Sequence, residues 1–147
     1  VMLAYRIVLE PDDNDTLLVT CPDLPGVVTY GADEMEAVAQ ARDAIETWIA
    51  GLIDDDRDVP LPGQAPVTPD ARSASVRLPL VTSLKVLLYA VLKESGISRA
   101  DLAGRLGWPP EAVEDLVALD REARLDRFEA AFAALNRRLS VAVSRGA

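Results

Sequence analysis

The chain has 147 residues, half of them hydrophobic, with a net charge of −9, one cysteine and no histidine. The length suits one ordinary domain or two small ones. Without histidine, a Ser-His or Cys-His catalytic pair is impossible, and a lone cysteine excludes an internal disulfide and makes a zinc site of the usual kind unexpected.

No apolar run approaches the ~18 residues that span a bilayer, and no basic-then-apolar leader opens the sequence. A cytoplasmic chain is expected, with no membrane, metal or cofactor. The charge is uneven. Residues 1–70 hold 3 Arg against 15 Asp and Glu, a net of −12, and residues 71–147 hold 12 Lys and Arg against 9 Asp and Glu, a net of +3. Two modules with different partners are expected, 1–79 and 80–147. An acidic module repels nucleic acid and attracts a basic protein; a surface acidic only for solubility is the alternative.

In Leu3 to Leu9, Tyr5, Ile7 and Leu9 alternate with Arg6 and Val8, the period of a strand. Pro11-Asp12-Asp13-Asn14-Asp15 is a turn cluster, and Thr16 to Cys21 reads as a second strand closing a hairpin. Pro22 to Gly26 is a constrained loop, and Val27 to Tyr30 a short third strand ending at Gly31. A long helix follows, with Asp33 as N-cap and Glu36 three residues on. Met35, Val38, Ile45, Trp48, Ile49 and Leu52 form its expected apolar stripe, with Trp48 packed on the sheet. Asp54-Asp55-Asp56 places negative charge at the helix C-terminus, where it is unfavourable, and reads as a solvated tail rather than a metal site. Residues 57–74, with Pro60, Pro62, Gly63, Pro66 and Pro69, form a loop or linker, and Ala74 to Pro79 a fourth strand.

The second module is helical. Leu84 to Lys93 is apolar nearly all round, which predicts burial on several sides and hence a homodimer interface. Ser98 and Asp101 cap the next helix. Within it and beyond, Ala103, Gly107, Val113 and Leu116 have the spacing of a helix-turn-helix: a small residue for close approach, a glycine for the turn, two aliphatic anchors on the second helix. That second helix carries Glu111, Glu114 and Asp115, which DNA repels. Arg124 to Asn136 places Leu125, Phe128, Phe132 and Leu135 on one stripe, and alternating Leu139, Val141 and Val143 predict a final strand able to pair with a second copy.

In its order of parts the chain resembles HicB antitoxins that carry a C-terminal helix-turn-helix. The resemblance rests on Cys21-Pro22-Asp23-Leu24-Pro25-Gly26-Val27-Val28-Thr29-Tyr30-Gly31, on Asp33-Glu34-Met35-Glu36-Ala37 and Ala41-Arg42-Asp43-Ala44-Ile45-Glu46, and then on Leu102-Ala103-Gly104-Arg105-Leu106-Gly107 and Arg124 to Leu135. It spans roughly residues 3–143. It implies an α+β fold, with an N-terminal truncated RNase H-like sheet and helix (βββαβ) and a C-terminal all-α helix-turn-helix domain. It also implies two tasks, neutralising a HicA-like toxin that cuts messenger RNA and binding operator DNA to repress the chain's own operon. A regulator without a toxin, or an antitoxin whose helix-turn-helix only dimerises, are the alternatives.

The residues suggest how each task is done. Carboxylates can occupy a basic RNA-binding site as an electrostatic mimic of phosphate. The candidates are Asp12, Asp13, Asp15, Asp23, Asp43, Asp54, Asp55, Asp56 and Asp58. On the DNA side, Arg99, Arg105, Arg121 and Arg124 are candidates for phosphate contacts, or for surface ion pairs. Pro110, Glu111, Glu114 and Asp115 stand where the groove would be read; Pro110 suits the first helical position, and glutamate can accept from cytosine N4. Cleavage of nucleic acid by the sheet would need several carboxylates converging on metal ions. Only Asp23 stands at a strand end, so no enzyme is expected.

Overall fold

A computed structural model describes residues 2–66 and 68–145; Val67 of the proline-rich segment lies outside them. The chain divides into two compact units, Met2–Pro79 and the residues from Leu80 onward. The first contains β1 (Ala4–Pro11), β2 (Leu17–Thr20), β3 (Val28–Gly31), α1 (Glu34–Asp54) and β4 (Ser73–Arg77). The second contains α2 (Leu80–Ser95), α3 (Arg99–Leu106), α4 (Pro110–Val117) and α5 (Leu125–Ala134). The fold is α+β.

The four strands form one antiparallel sheet in the order β3-β2-β1-β4. Direct cross-strand partners share a face, so the pairs Tyr5–Val76, Ile7–Ala74 and Leu9–Val19 define the inner side. Tyr5, Ile7, Leu9, Val19 and Val76 are all buried. Helix α1 lies on this side, packing on β3, β2 and β4. Asp33 caps it, accepting from the Glu36 amide at 2.8 Å.

The buried stripe of α1 is Ala37, Ala41, Ile45, Ile49 and Ile53, which corrects the stripe expected from hydrophobicity. Met35 and Trp48 point outward. The reason is distance. A Cβ on Gly31 would lie 2.4 Å from the Ala37 amide nitrogen and 2.5 Å from its Cα. The helix therefore meets β3 backbone to backbone at its start, where only glycine and alanine fit. Once that contact is made, a strict four-residue spacing of Ala and Ile faces the sheet, and Trp48 falls outside it. Each fully buried isoleucine stabilises the contact by about 2 kcal/mol.

Residues 57–72 belong to the first unit and do not join the two units. Val59 is buried, the Tyr5 hydroxyl donates to the Pro60 carbonyl at 2.7 Å, and the segment leads into β4.

Four helices of the chain end alike. Beyond α1, the amides of Asp56 and Arg57 donate to the Ile53 and Leu52 carbonyls. Gly96 and Ile97 do the same after α2, Gly107 and Trp108 after α3, and Asn136 and Arg137 after α5. This is the Schellman pattern, which needs a left-handed residue at its first donor. Gly96, Gly107, Asp56 and Asn136 have φ of 67°, 67°, 56° and 60°.

In the second unit, Leu84, Val86 and Leu88 of α2 are buried with Leu102 and Ala103 of α3, Val113 and Leu116 of α4, and Phe128 of α5. These side chains are covered within a single copy of the chain, so the buried face of α2 needs no second copy, and its half-buried Leu87 and Val91 are what is left for one. In a single copy the strand expected at Leu139–Val143 does not form. These residues form no regular element, and Val143 is 99% exposed. Alternation alone does not make a strand when no partner edge lies beside it.

Candidate functional site

The acidic candidates of the first unit fall into three groups. Asp12, Asp13 and Asp15 form the β1–β2 turn, closed by the Asp12 amide donating to the Thr16 carbonyl at 2.8 Å. Asp12 also accepts from the Asp13 amide, and Asp15 takes a left-handed φ of 63°. Asp43, Asp54, Asp55 and Asp56 are exposed along α1 and its end, and Asp58 just beyond. The turn acids and the helix acids occupy different places, so they do not make one cluster.

Asp23 stands apart, and its expected place on a docking surface is corrected. It is only 7% exposed. Its carboxylate accepts from the amides of Gly63, Gln64 and Ala65 at 3.0, 2.9 and 2.7 Å. Those donors belong to a loop forty residues downstream, which Asp23 holds against the end of β2. Beside it, burial pushes the Cys21 thiol up from its ordinary pKa, so this cysteine is an inert core residue. Among the described residues there is no group of three or more His, Cys, Asp or Glu able to hold a metal ion.

Asp43 and Asp55 both line a groove of about 450 Å³ between α1 and the segment Gly26–Val28 that enters β3, twelve residues and hence about 18 Å apart along the helix. Its wall is Trp48, and hydrophobicity alone did not reveal it, since a tryptophan on a helix beside a sheet reads as core.

In the second unit, α3, the turn Gly107–Pro109 and α4 form a helix-turn-helix. Ser98 and Asp101 make a reciprocal capping box at the start of α3. Gly107 ends α3 in the left-handed conformation, and Pro110 opens α4. Ala103, Val113 and Leu116 are buried where the two helices meet.

The charged candidates of this motif are largely paired with one another. Arg99 donates to both Glu114 carboxylate oxygens at 2.8 and 2.9 Å and lies over the Tyr89 ring. Arg121 pairs with Asp115 at 3.2 Å, and Arg124 with Asp126 through two bonds of 3.1 and 3.0 Å. Arg105 reaches the Ala134 carbonyl at 3.4 Å. Glu111 stands exposed in the first turn of α4. Two of the three carboxylates of α4 are thus screened by arginine, which lessens their repulsion of phosphate.

Lys85 was not singled out by sequence, although a lysine inside an apolar helix is itself a signal that a partner exists. It is buried in α2 and its amine donates to the carbonyls of Ala118 and Arg121, just past α4. Burial lowers its pKa, opposed by the nearby Asp115 and Asp120. The amine ties the end of α4 to α2 and so fixes the orientation of the second helix of the motif.

Residues 4–87 match the family described as HicB_like antitoxin of bacterial toxin-antitoxin system. An Antitoxin HicB of Pseudomonas fluorescens (strain Pf0-1) is 33% identical over 143 residues, covering 97% of this chain and 95% of that protein. One from Escherichia coli (strain K12) is 28% identical over 139 residues, covering 95% of this chain and 98% of that protein. A crystal structure of the Burkholderia pseudomallei antitoxin HicB aligns with a TM-score of 0.45 at 22% identity, over 78% of this chain and 98% of that one.

Proposed function

Since the chain belongs to the HicB family of antitoxins of bacterial toxin–antitoxin systems, we propose that its acidic unit neutralises a small basic HicA-like toxin that cuts messenger RNA, and that its helix-turn-helix binds operator DNA to repress the chain's own operon. The chain is read as non-catalytic. Toxin binding rests on one observation above the others: the net of −12 over residues 1–70, displayed as exposed carboxylates on the β1–β2 turn and on α1. A basic RNA-binding surface is attracted to such a field and, once covered, is closed to RNA.

Operator binding is supported by the helix-turn-helix geometry, in a unit that holds 10 Lys and Arg against 9 Asp and Glu and so lacks the strong negative field of the first. Two half-sites about one helical turn apart would require two copies of the motif, and the exposed Val141 and Val143 offer a segment for pairing them. A second reading, that the motif serves assembly alone, is favoured by the ion pairs that occupy Arg99 and Arg121.

Co-expression with the small reading frame beside this gene tests the first task. Growth is expected to be restored and the two chains to co-purify; neither happening would leave a toxin-free regulator as the better reading. A gel-shift titration with the chain's own promoter tests the second. Binding should weaken steeply with salt, Arg105→Ala should weaken it for all sequences alike, and Glu111→Gln should strengthen non-specific binding. No shift at low salt, with or without toxin, would favour the assembly reading.

A further inference from the structure

Helix α1 carries a glycine that its own fold does not require. Gly51 lies in the last turn of this 21-residue helix, its carbonyl accepting from the Asp55 amide, and glycine is a poorer helix former there than alanine. A Cβ built there would meet no heavy atom within 4 Å. The contrast with Gly31 and Gly26 is direct, since in both of those a Cβ would collide, at Gly26 with the Trp48 ring at 2.2 Å. Gly51 instead opens onto the groove beside Trp48, one turn from Thr47 and one from Asp55.

That groove joins three properties. Trp48 remains 42% exposed while its ring is seated on Gly26, so a large apolar face is held in place toward solvent. Its floor is made of small or aliphatic residues, among them Ala44 and Val28. Its rim carries Asp43, Asp55 and Arg57, two carboxylates against one cation, in a unit with a strong negative field. Tryptophan dominates binding energetics out of proportion to its number when a partner buries it, and a preformed wall loses little entropy on binding.

We propose that this groove is where the toxin docks, taking a segment in which Lys or Arg side chains flank one apolar side chain. The apolar side chain lies against Trp48 and over Gly51, and the cations meet Asp43 and Asp55. This rests on the toxin-binding reading above and locates it. The field of the unit decides the occupant: a second copy of this acidic unit, or a nucleic acid, would bring like charge to the rim. The turn acids Asp12, Asp13 and Asp15 then act on approach rather than in the docked groove.

The test is a binding titration of the full chain against the toxin encoded beside it, with two groove variants and one spectroscopic variant. Gly51→Gln places a good helix former where the chain has room, so its melting temperature should equal or exceed that of the parent chain, while toxin affinity falls about tenfold or more. Asp43→Lys should weaken binding by a similar factor with an unchanged far-ultraviolet spectrum. In a Trp108→Phe chain, Trp48 is the remaining tryptophan, and its emission should shift to the blue as toxin is added. Binding of both groove variants within twofold of the parent, with Trp48 emission unmoved in a complex that forms, overturns the groove while leaving toxin binding intact. Absence of any complex with the parent chain overturns the toxin reading and this occupant with it.

Discussion

Asp23 decides how the proline-rich segment is held. One carboxylate accepts from three consecutive amides, those of Gly63, Gln64 and Ala65. Hydrogen bonds to a charged acceptor are stronger than neutral ones. Asp23→Ala should therefore cost about 2–3 kcal/mol, read as a fall in the midpoint of chemical unfolding. Asp23→Asn should cost less, because its oxygen can keep the bonds from Gln64 and Ala65 and only the Gly63 amide is left facing a donor. An unchanged midpoint for Asp23→Ala would mean that water replaces the carboxylate at no cost. This role was not legible in the sequence. The donors are backbone groups forty residues away, and a backbone amide has no residue type to announce it. Lys85 was more legible, since a lone cation inside an apolar helix has to find acceptors.

At the scale of elements, periodicity located the helices and strands, and packing distance decided which face each buried. The capping residues Asp33 and Ser98, the four strands and the turn at Gly107 follow from local chemistry that the chain carries at each point. The stripe of α1 does not, because it depends on how closely the helix meets β3, and that distance is set jointly by Gly31 and Ala37. A hydropathy pattern ranks Met35 and Trp48 above alanine and so points to the wrong face. The end of α5 offers a test of the same local reasoning. Asn136 holds a left-handed position with φ of 60°. Asn136→Gly should remove the steric penalty of its Cβ and stabilise the chain by about 0.5 kcal/mol, read as a higher melting temperature. A lower melting temperature would mean that the asparagine side chain stabilises the turn by more than the strain costs.

For the whole molecule, the division of charge corresponds to the division of structure. An acidic sheet-and-helix unit and a near-neutral helical unit are separately packed, and only the first carries a strong field of one sign. Composition displayed this division without any structure. What it could not display was which carboxylates face outward together, because that depends on the side of α1 that the sheet leaves free. The acidic unit is proposed to silence an RNA-cutting partner. The measurement that reaches it most directly is cleavage of a messenger RNA by the purified neighbouring toxin, followed as the full chain is titrated in. Cleavage should fall to zero at a fixed molar ratio, and the suppression should weaken as salt screens the charges. Cleavage that continues undiminished with this chain in large excess at low salt would contradict the account.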